Sequence, residues 1–185
     1  MAITEKIVNI VHKTATGNRA IRNVLTPIGF VIFSGIIVVF VVLSPLLDTF
    51  LGFPQFLPLS LYLWVSLPVV AFGAFLVLLS MFHFIRVKGT PVPFNPPQEL
   101  VATGPYACVR NPMLSGLFIL LFGLGGLLRS ISLTFLFIPI FILFNIWELK
   151  TIEEPELVKR LGEEYTKYRD RTPMFIPRPK VRDAD

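Results

Sequence analysis

Arg110 and the pair Glu153-Glu154 are the side chains best suited to chemistry, and a long apolar stretch separates them. Arg110 closes the run Gly104-Pro105-Tyr106-Ala107-Cys108-Val109-Arg110-Asn111-Pro112, and the glutamates open Glu153-Glu154-Pro155, which continues through Leu161-Gly162-Glu163-Glu164-Tyr165 to Tyr168. A guanidinium is a permanent cation whose forked donors match a carboxylate or phosphate. Adjacent carboxylates accept hydrogen bonds from ammonium and hydroxyl groups and favour a nearby cation. Together they suit the holding of a charged, partly zwitterionic small molecule. Two plainer readings stand beside this one. Arg110 suits a membrane-interface anchor, and Glu153 and Glu154 suit the start of a helix, where the dipole favours negative charge.

The elements that position these groups read as membrane helices. The 185 residues are 54% hydrophobic and 16% charged, with eighteen Phe; mean hydropathy is +0.70. Soluble domains carry about a quarter charged residues. Apolar runs cover 24–47, 59–84, 113–128 and 131–147. The first two exceed the roughly 20 residues that cross a bilayer. The last two are shorter, and only Arg129 and Ser130 divide them, which predicts a tight hairpin. Gly116, Gly123, Gly125 and Gly126 read as packing glycines that allow close helix approach. Residues 1–23 form a basic arm; Ile3, Ile7, Ile10 and Val11 suit a short amphipathic helix on a membrane surface, and a solvated arm suits them equally. This arm shows no signal peptide. Pro91, Pro93, Pro96 and Pro97 keep the segment after the second span out of regular structure. Pro155 suits the first turn of a separate C-terminal helix. Leu157, Leu161, Tyr165 and Tyr168 then form one apolar stripe on it.

Lys and Arg crowd the N-terminal arm, the 86–112 loop and the tail from Lys150, and the first interhelical loop has none. This bias places both termini in the cytoplasm, with Arg110 and the glutamates at the same membrane face. The net charge of +5 suits a seat on anionic lipid and gives no reason to invoke nucleic acid. The lone cysteine, Cys108, excludes an intramolecular disulfide and reads as a packing residue; with His12 and His83 far apart in sequence, no metal site is expected. His83 reads as a satisfied helix-end histidine and Arg129 as an anchor for the hairpin turn. Glu148, at the end of the fourth span, reads as a partner for Arg86 or Arg110, or as a group reaching the interface.

The ordered set Gly104-Pro105-Tyr106, Arg110-Asn111-Pro112, Glu153-Glu154, Leu161-Gly162 with Tyr165 and Tyr168, and the tail Arg171-Thr172-Pro173-Met174-Phe175-Ile176-Pro177 resembles the integral-membrane methyltransferases. These include the isoprenylcysteine carboxyl methyltransferases and phospholipid N-methyltransferases. The likeness covers about residues 86–179. Asn111 stands where the family pattern has His, and Leu114 where it often has Tyr. The resemblance implies S-adenosylmethionine as methyl donor, with Gly104, Tyr106, Arg110, Asn111, Pro112, Glu153 and Glu154 around it and Arg110 and Glu154 in the catalytic roles. Adenine stacking falls to Tyr106.

The expectation is therefore an all-α integral membrane protein: a basic arm over 1–23, then one domain over 24–185. That domain has four spans, the last two a hairpin, and a C-terminal interfacial helix. The expected activity is methyl transfer to a lipophilic acceptor (a prenylcysteine-type carboxylate, a phospholipid amine or an isoprenoid) in a prokaryotic inner membrane. A non-catalytic scaffold that retains the fold is the alternative, motivated by Asn111 and Leu114. A small transporter is disfavoured, because the middle of the spans holds no ionisable residue.

Overall fold

The computed structural model describes residues 2–86 and 99–178. The expected Pro-rich run, Lys88 and Pro179 lie outside them. The described residues form seven α-helices and no strand: α1 (Ala2–Thr16), α2 (Arg19–Leu51), α3 (Tyr62–Arg86), α4 (Pro112–Leu127), α5 (Ile138–Glu148), α6 (Glu154–Leu161) and α7 (Glu163–Arg171). The all-α membrane architecture is as expected. Ala20–Leu51, Tyr62–Arg86 and the continuous rod Leu133–Leu161 are long and apolar enough to cross a membrane, and Pro112–Leu127 is a shorter apolar helix. Its 16 residues reach about 24 Å. Phe30, Val31, Phe50, Trp64, Leu143 and many other large apolar side chains point outward, as lipid-facing residues do and as those of a soluble protein rarely do.

Boundaries differ from the sequence reading in two places. Helix α2 starts at Arg19 and ends at Leu51, so it extends beyond 24–47 at both ends and runs through Pro27 and Pro45. Asn18 caps its start by accepting from the Ala20 amide at 2.8 Å. Pro45 has no N–H for the Val41 carbonyl, and the Ser44 hydroxyl donates to that carbonyl instead, at 3.1 Å. The second difference concerns Pro155. No separate helix starts there. The fourth span continues through it as one rod, with π turns at Leu133–Phe137 and Leu149–Glu153. Each π turn ends just before a proline, Pro139 or Pro155. A wide turn relieves the clash between the proline ring and the preceding carbonyl. The expected stripe of Leu157, Leu161, Tyr165 and Tyr168 is divided between α6 and α7 at Gly162.

Helices α3 and α4 meet backbone to backbone. A Cβ at Gly116 would lie 2.8 Å from the Val77 amide nitrogen, and one at Gly123 would lie 2.7 Å from that of Val70. Gly73 faces Gly116 from the opposite helix, and its seat lies against the Leu120 backbone. Such contact is the membrane substitute for a hydrophobic driving force, since lipid tails are as apolar as leucine. The remaining core is aromatic. Phe118, Leu121, Leu133, Ile138 and Phe141 are buried together. Phe33 and Phe40 of α2 reach this cluster, at 5.5 Å from Phe141 and 5.0 Å from Phe137 between ring centroids.

At one end the hairpin turn is pinned. The Asp48 carboxylate accepts from the Ser130 hydroxyl and, at 2.8 Å, from the Ser132 amide. Arg129 turns the chain with φ 53°; its Nε donates to the Leu57 carbonyl at 2.6 Å, and its guanidinium lies 5.6 Å from the centre of the Tyr62 ring.

The seam makes a direct prediction. Gly123→Leu forces α3 and α4 apart and lowers the melting temperature in detergent, at a cost of about 1–3 kcal/mol or more. Gly35→Leu, whose Cβ meets nothing within 4 Å, leaves it unchanged.

Candidate active site

The opposite end of the bundle gathers the polar motifs. The chain enters at Thr103 and forms a short 3₁₀ turn over Gly104–Ala107, with Pro105 at its first positions. Gly104 is held at φ 58° directly over the His83 ring; a Cβ there would stand 2.8 Å from His83 Cε1. Both the backbone angle and the contact demand glycine. His83, in the last turn of α3, meets the Thr103 hydroxyl at 2.8 Å. Tyr106 is 6% exposed. Its ring stacks on His83 at 6.1 Å and meets the Phe84 ring edge-on at 4.9 Å. The Tyr168 hydroxyl donates to the Tyr106 carbonyl at 2.6 Å. Burial pushes the Tyr168 phenol up to about 12, and it also raises those of Tyr106 and Tyr165. The Tyr168 hydroxyl therefore keeps its proton throughout the physiological range.

Arg110 is the hub. One Nη donates to Glu154 Oε1 at 2.7 Å. The other donates to the carbonyls of Arg169 and Thr172 at 2.7 and 3.2 Å. These carbonyls close α7, where a helix leaves acceptors unsatisfied and its dipole favours a cation. The Arg110 and Asn111 amides donate to Pro173 O at 2.8 Å and Met174 O at 3.1 Å. The Ser115 hydroxyl lies 3.0 Å from both the Asn111 and Phe175 carbonyls. Phe175 packs on Phe118 of α4 at 5.3 Å. The tail from Thr172 to Phe175 is thus bonded into the bundle. Arg110 and Glu154 side chains are each 13% exposed, and Arg110 Nε is buried with no hydrogen-bond partner among the described residues.

The acidic segment has a second layer. Glu156, 3% exposed, accepts from Arg160 Nε at 3.0 Å and lies 3.3 Å from His12 Nδ1. Lys159 donates to Asn9 at 2.6 Å. Helix α1 therefore lies on α6 and on the turn before it, with Val8 and Ala15 buried, and is not a solvated arm.

The sequence model of the phospholipid methyltransferase family matches residues 61–164, which is α3 through the start of α7. The chain belongs to the phospholipid methyltransferase family. A relative, the nickel-cobalt-cadmium resistance protein NccN of Alcaligenes xylosoxydans xylosoxydans, is 36% identical over 80 residues, which is 43% of this chain and 37% of that protein. This chain thus spans well under half of that relative's length. No solved structure matches.

Within the family's matched region the structure brings Tyr106, Arg110, Asn111, Pro112 and Glu154 to one end of the hairpin, with Glu153 ending the π turn beside Glu154. The roles differ from the sequence reading at several residues. Arg110 already spends most of its fork inside the protein, so only Nε points away from an internal partner. Tyr106 has both its surroundings filled by His83 and Phe84, which makes it a support for the loop more than an open stacking platform. Asn111 precedes α4 without a side-chain cap, so its amide is not committed to the helix. Pro112 starts α4 and is buried. Glu148 pairs with neither expected cation: Arg110 takes Glu154, and Arg86 lies over the Phe82 ring at 4.4 Å. Cys108 is exposed instead of packed. Among the described residues no group of three or more His, Cys, Asp or Glu is gathered to hold a metal ion. Sequence reasoning missed His83 as the floor under Gly104, and His12 and Asn9 as partners of α6. Nothing in spacing alone links positions so far apart.

Two outcomes follow. Arg110→Ala leaves Glu154 unpaired and the α7 carbonyls open. It lowers stability by roughly 3 kcal/mol, read as a lower melting temperature and faster proteolysis of the tail; Arg110→Lys recovers only part. Tyr168→Phe costs about 1 kcal/mol. The Tyr168 pKa is above its ordinary 10.0 in the folded protein. Its contribution is therefore complete below pH 10 and falls as pH rises toward 12, and the phenylalanine variant lacks this part of the alkaline loss.

Proposed function

We propose that this protein transfers a methyl group from S-adenosylmethionine to a lipophilic acceptor at the cytoplasmic membrane face. The observation that carries the reading is the Arg110–Glu154 pair, which joins the loop before α4, the rod after the hairpin and the C-terminal tail into one site at one end of the bundle. Membership of a methyltransferase family supports the reaction class. The basic bias of the arm and tail supports a cytoplasmic position for this end.

The residues present fit the cofactor. It combines a carboxylate, an ammonium, ribose hydroxyls and a sulfonium. Arg110 Nε is a buried donor without a partner, suited to the carboxylate. The Asn111 amide donates and accepts, and serves the same carboxylate or a ribose hydroxyl without titrating. Glu153 offers a carboxyl oxygen that accepts a hydrogen bond from the ammonium or a ribose hydroxyl. Its place at the end of a π turn is common for residues of functional sites. Gly104 and Pro112 set the course of the loop that carries Asn111, and Tyr106 backs that loop. When bound, S-adenosylmethionine supplies an electrophilic methyl group. Methyl transfer is then a matter of in-line alignment in a water-poor pocket. Glu154 is held by Arg110 in a fixed place near the acceptor's path. For an amine acceptor it takes the proton released. Prenylcysteine-type carboxylates, phospholipid amines and isoprenoids all enter such a site from the bilayer.

Calorimetric titration of the detergent-purified protein with S-adenosylmethionine and S-adenosylhomocysteine tests the reading. Saturable binding of both is expected, weakened at least about tenfold in Glu153→Gln with the melting temperature retained. Radiolabelled methyl transfer into extracted lipid then identifies the acceptor. No binding at millimolar cofactor would instead mark the chain as a non-catalytic scaffold.

A further inference from the structure

The Arg110 hub also borders a cleft. The rod's Ile146 and Lys150, the end of α7 and the tail to Arg178 enclose a cleft of about 330 Å³. Its size is at the lower end of small-molecule pockets, roughly 300–1,000 Å³. Four cations line it, Arg110, Lys150, Arg169 and Arg178, against one carboxylate, Asp170. That carboxylate lies 3.6 Å from its neighbour Arg169. Lys150 and Arg178 form no ion pair among the described residues. Arg110 forms part of its wall. Ile146, Met174 and Phe175 give the cleft an apolar side. That side adjoins the exposed Leu143, Phe144 and Trp147 on the rod.

We propose that this cleft binds the phosphate of an anionic membrane lipid, with its glycerol on Ile146 and its acyl chains along the outer face of α5. The charge decides the class. Like charges at these distances repel an ammonium, so the headgroup of an amine acceptor is a poor occupant, and a phosphodiester without a compensating cation is a good one. Geometry decides the source. The cleft sits where α5 gives way to the polar rod, with lipid-facing aromatics on one side and basic residues on the other, which is the level of phospholipid headgroups. A bound phosphate would bridge the rod to the tail whose carbonyls hold Arg110 and Asn111, and so stabilise the motif end of the bundle. The inference does not depend on methyl transfer; it requires only that this end of the hairpin lies at a headgroup layer.

The experiment uses the full chain in a nonionic detergent, titrated with dihexanoyl phosphatidylglycerol, dihexanoyl phosphatidylcholine and inorganic phosphate. Binding is followed calorimetrically and by melting temperature. Phosphatidylglycerol should bind saturably and raise the melting temperature. Phosphatidylcholine should bind at least about tenfold more weakly, and Lys150→Gln/Arg178→Gln should weaken phosphatidylglycerol by at least about tenfold. If the double variant does not fold, Lys150→Gln alone should still weaken it several-fold. Equal affinity for the two lipids, or an unchanged affinity in the variants, overturns the proposal. Inorganic phosphate that displaces phosphatidylglycerol at equal concentration overturns the lipid source in favour of a free anion. S-adenosylmethionine titrated into the wild-type protein under the same conditions reports separately on cofactor binding, so the two readings fail independently.

Discussion

One guanidinium fixes the relation of three chain segments that are distant in sequence. Arg110 stands between the beginning of α6, through Glu154, and the end of α7, through the Arg169 and Thr172 carbonyls. The carbonyls that end α7 are where that helix's dipole concentrates negative charge, which favours the guanidinium. The pair is mostly removed from water, so its strength depends on all of its hydrogen bonds being present. Removing the arginine side chain weakens the junction of the tail, the loop and the rod at once, because it extends from the loop and bonds to the other two. The Tyr168–Tyr106 bond and the Ser115 hydroxyl reinforce the same junction.

The other end of the bundle obeys the same logic with a different charge. Asp48 gathers the Ser130 hydroxyl and the Ser132 amide, and Arg129 reaches Leu57. The hairpin is therefore pinned at its turn and clamped at its open end. Between the pins, the glycine seam and the aromatic cluster hold the helices by shape. The π turns before Pro139 and Pro155 set the rotation with which the rod arrives at Glu153 and Glu154.

Much of this was legible in the sequence, and the reasons are specific. Long uncharged runs leave no alternative to membrane helices, because backbone groups in hydrocarbon must bond within their own segment. The ordered polar motifs marked the end of the hairpin where Arg110, Asn111, Glu153 and Glu154 gather. What was not legible depends on tertiary partners. Pro155 has the same local preference whether it begins a helix or follows a wide turn in one. Arg110 offers the same fork to a ligand or to the carbonyls of α7, and only the fold shows that the carbonyls take most of it. Tyr106 reads as an aromatic platform until His83 and Phe84 are seen to occupy its surroundings. The place of α1 on α6 rests on His12 and Glu156, a pairing across nearly the whole chain.

The glycine seam also governs traffic. With Gly73, Gly116 and Gly123 bringing α3 and α4 into backbone contact, no acyl chain can slip between these two helices, and parting them would break their closest packing. A lateral portal for a bilayer-borne molecule lies elsewhere, and the flank beside α5 leaves Leu143, Phe144 and Trp147 bare. The seam thus keeps one wall of the bundle shut to bilayer-borne molecules.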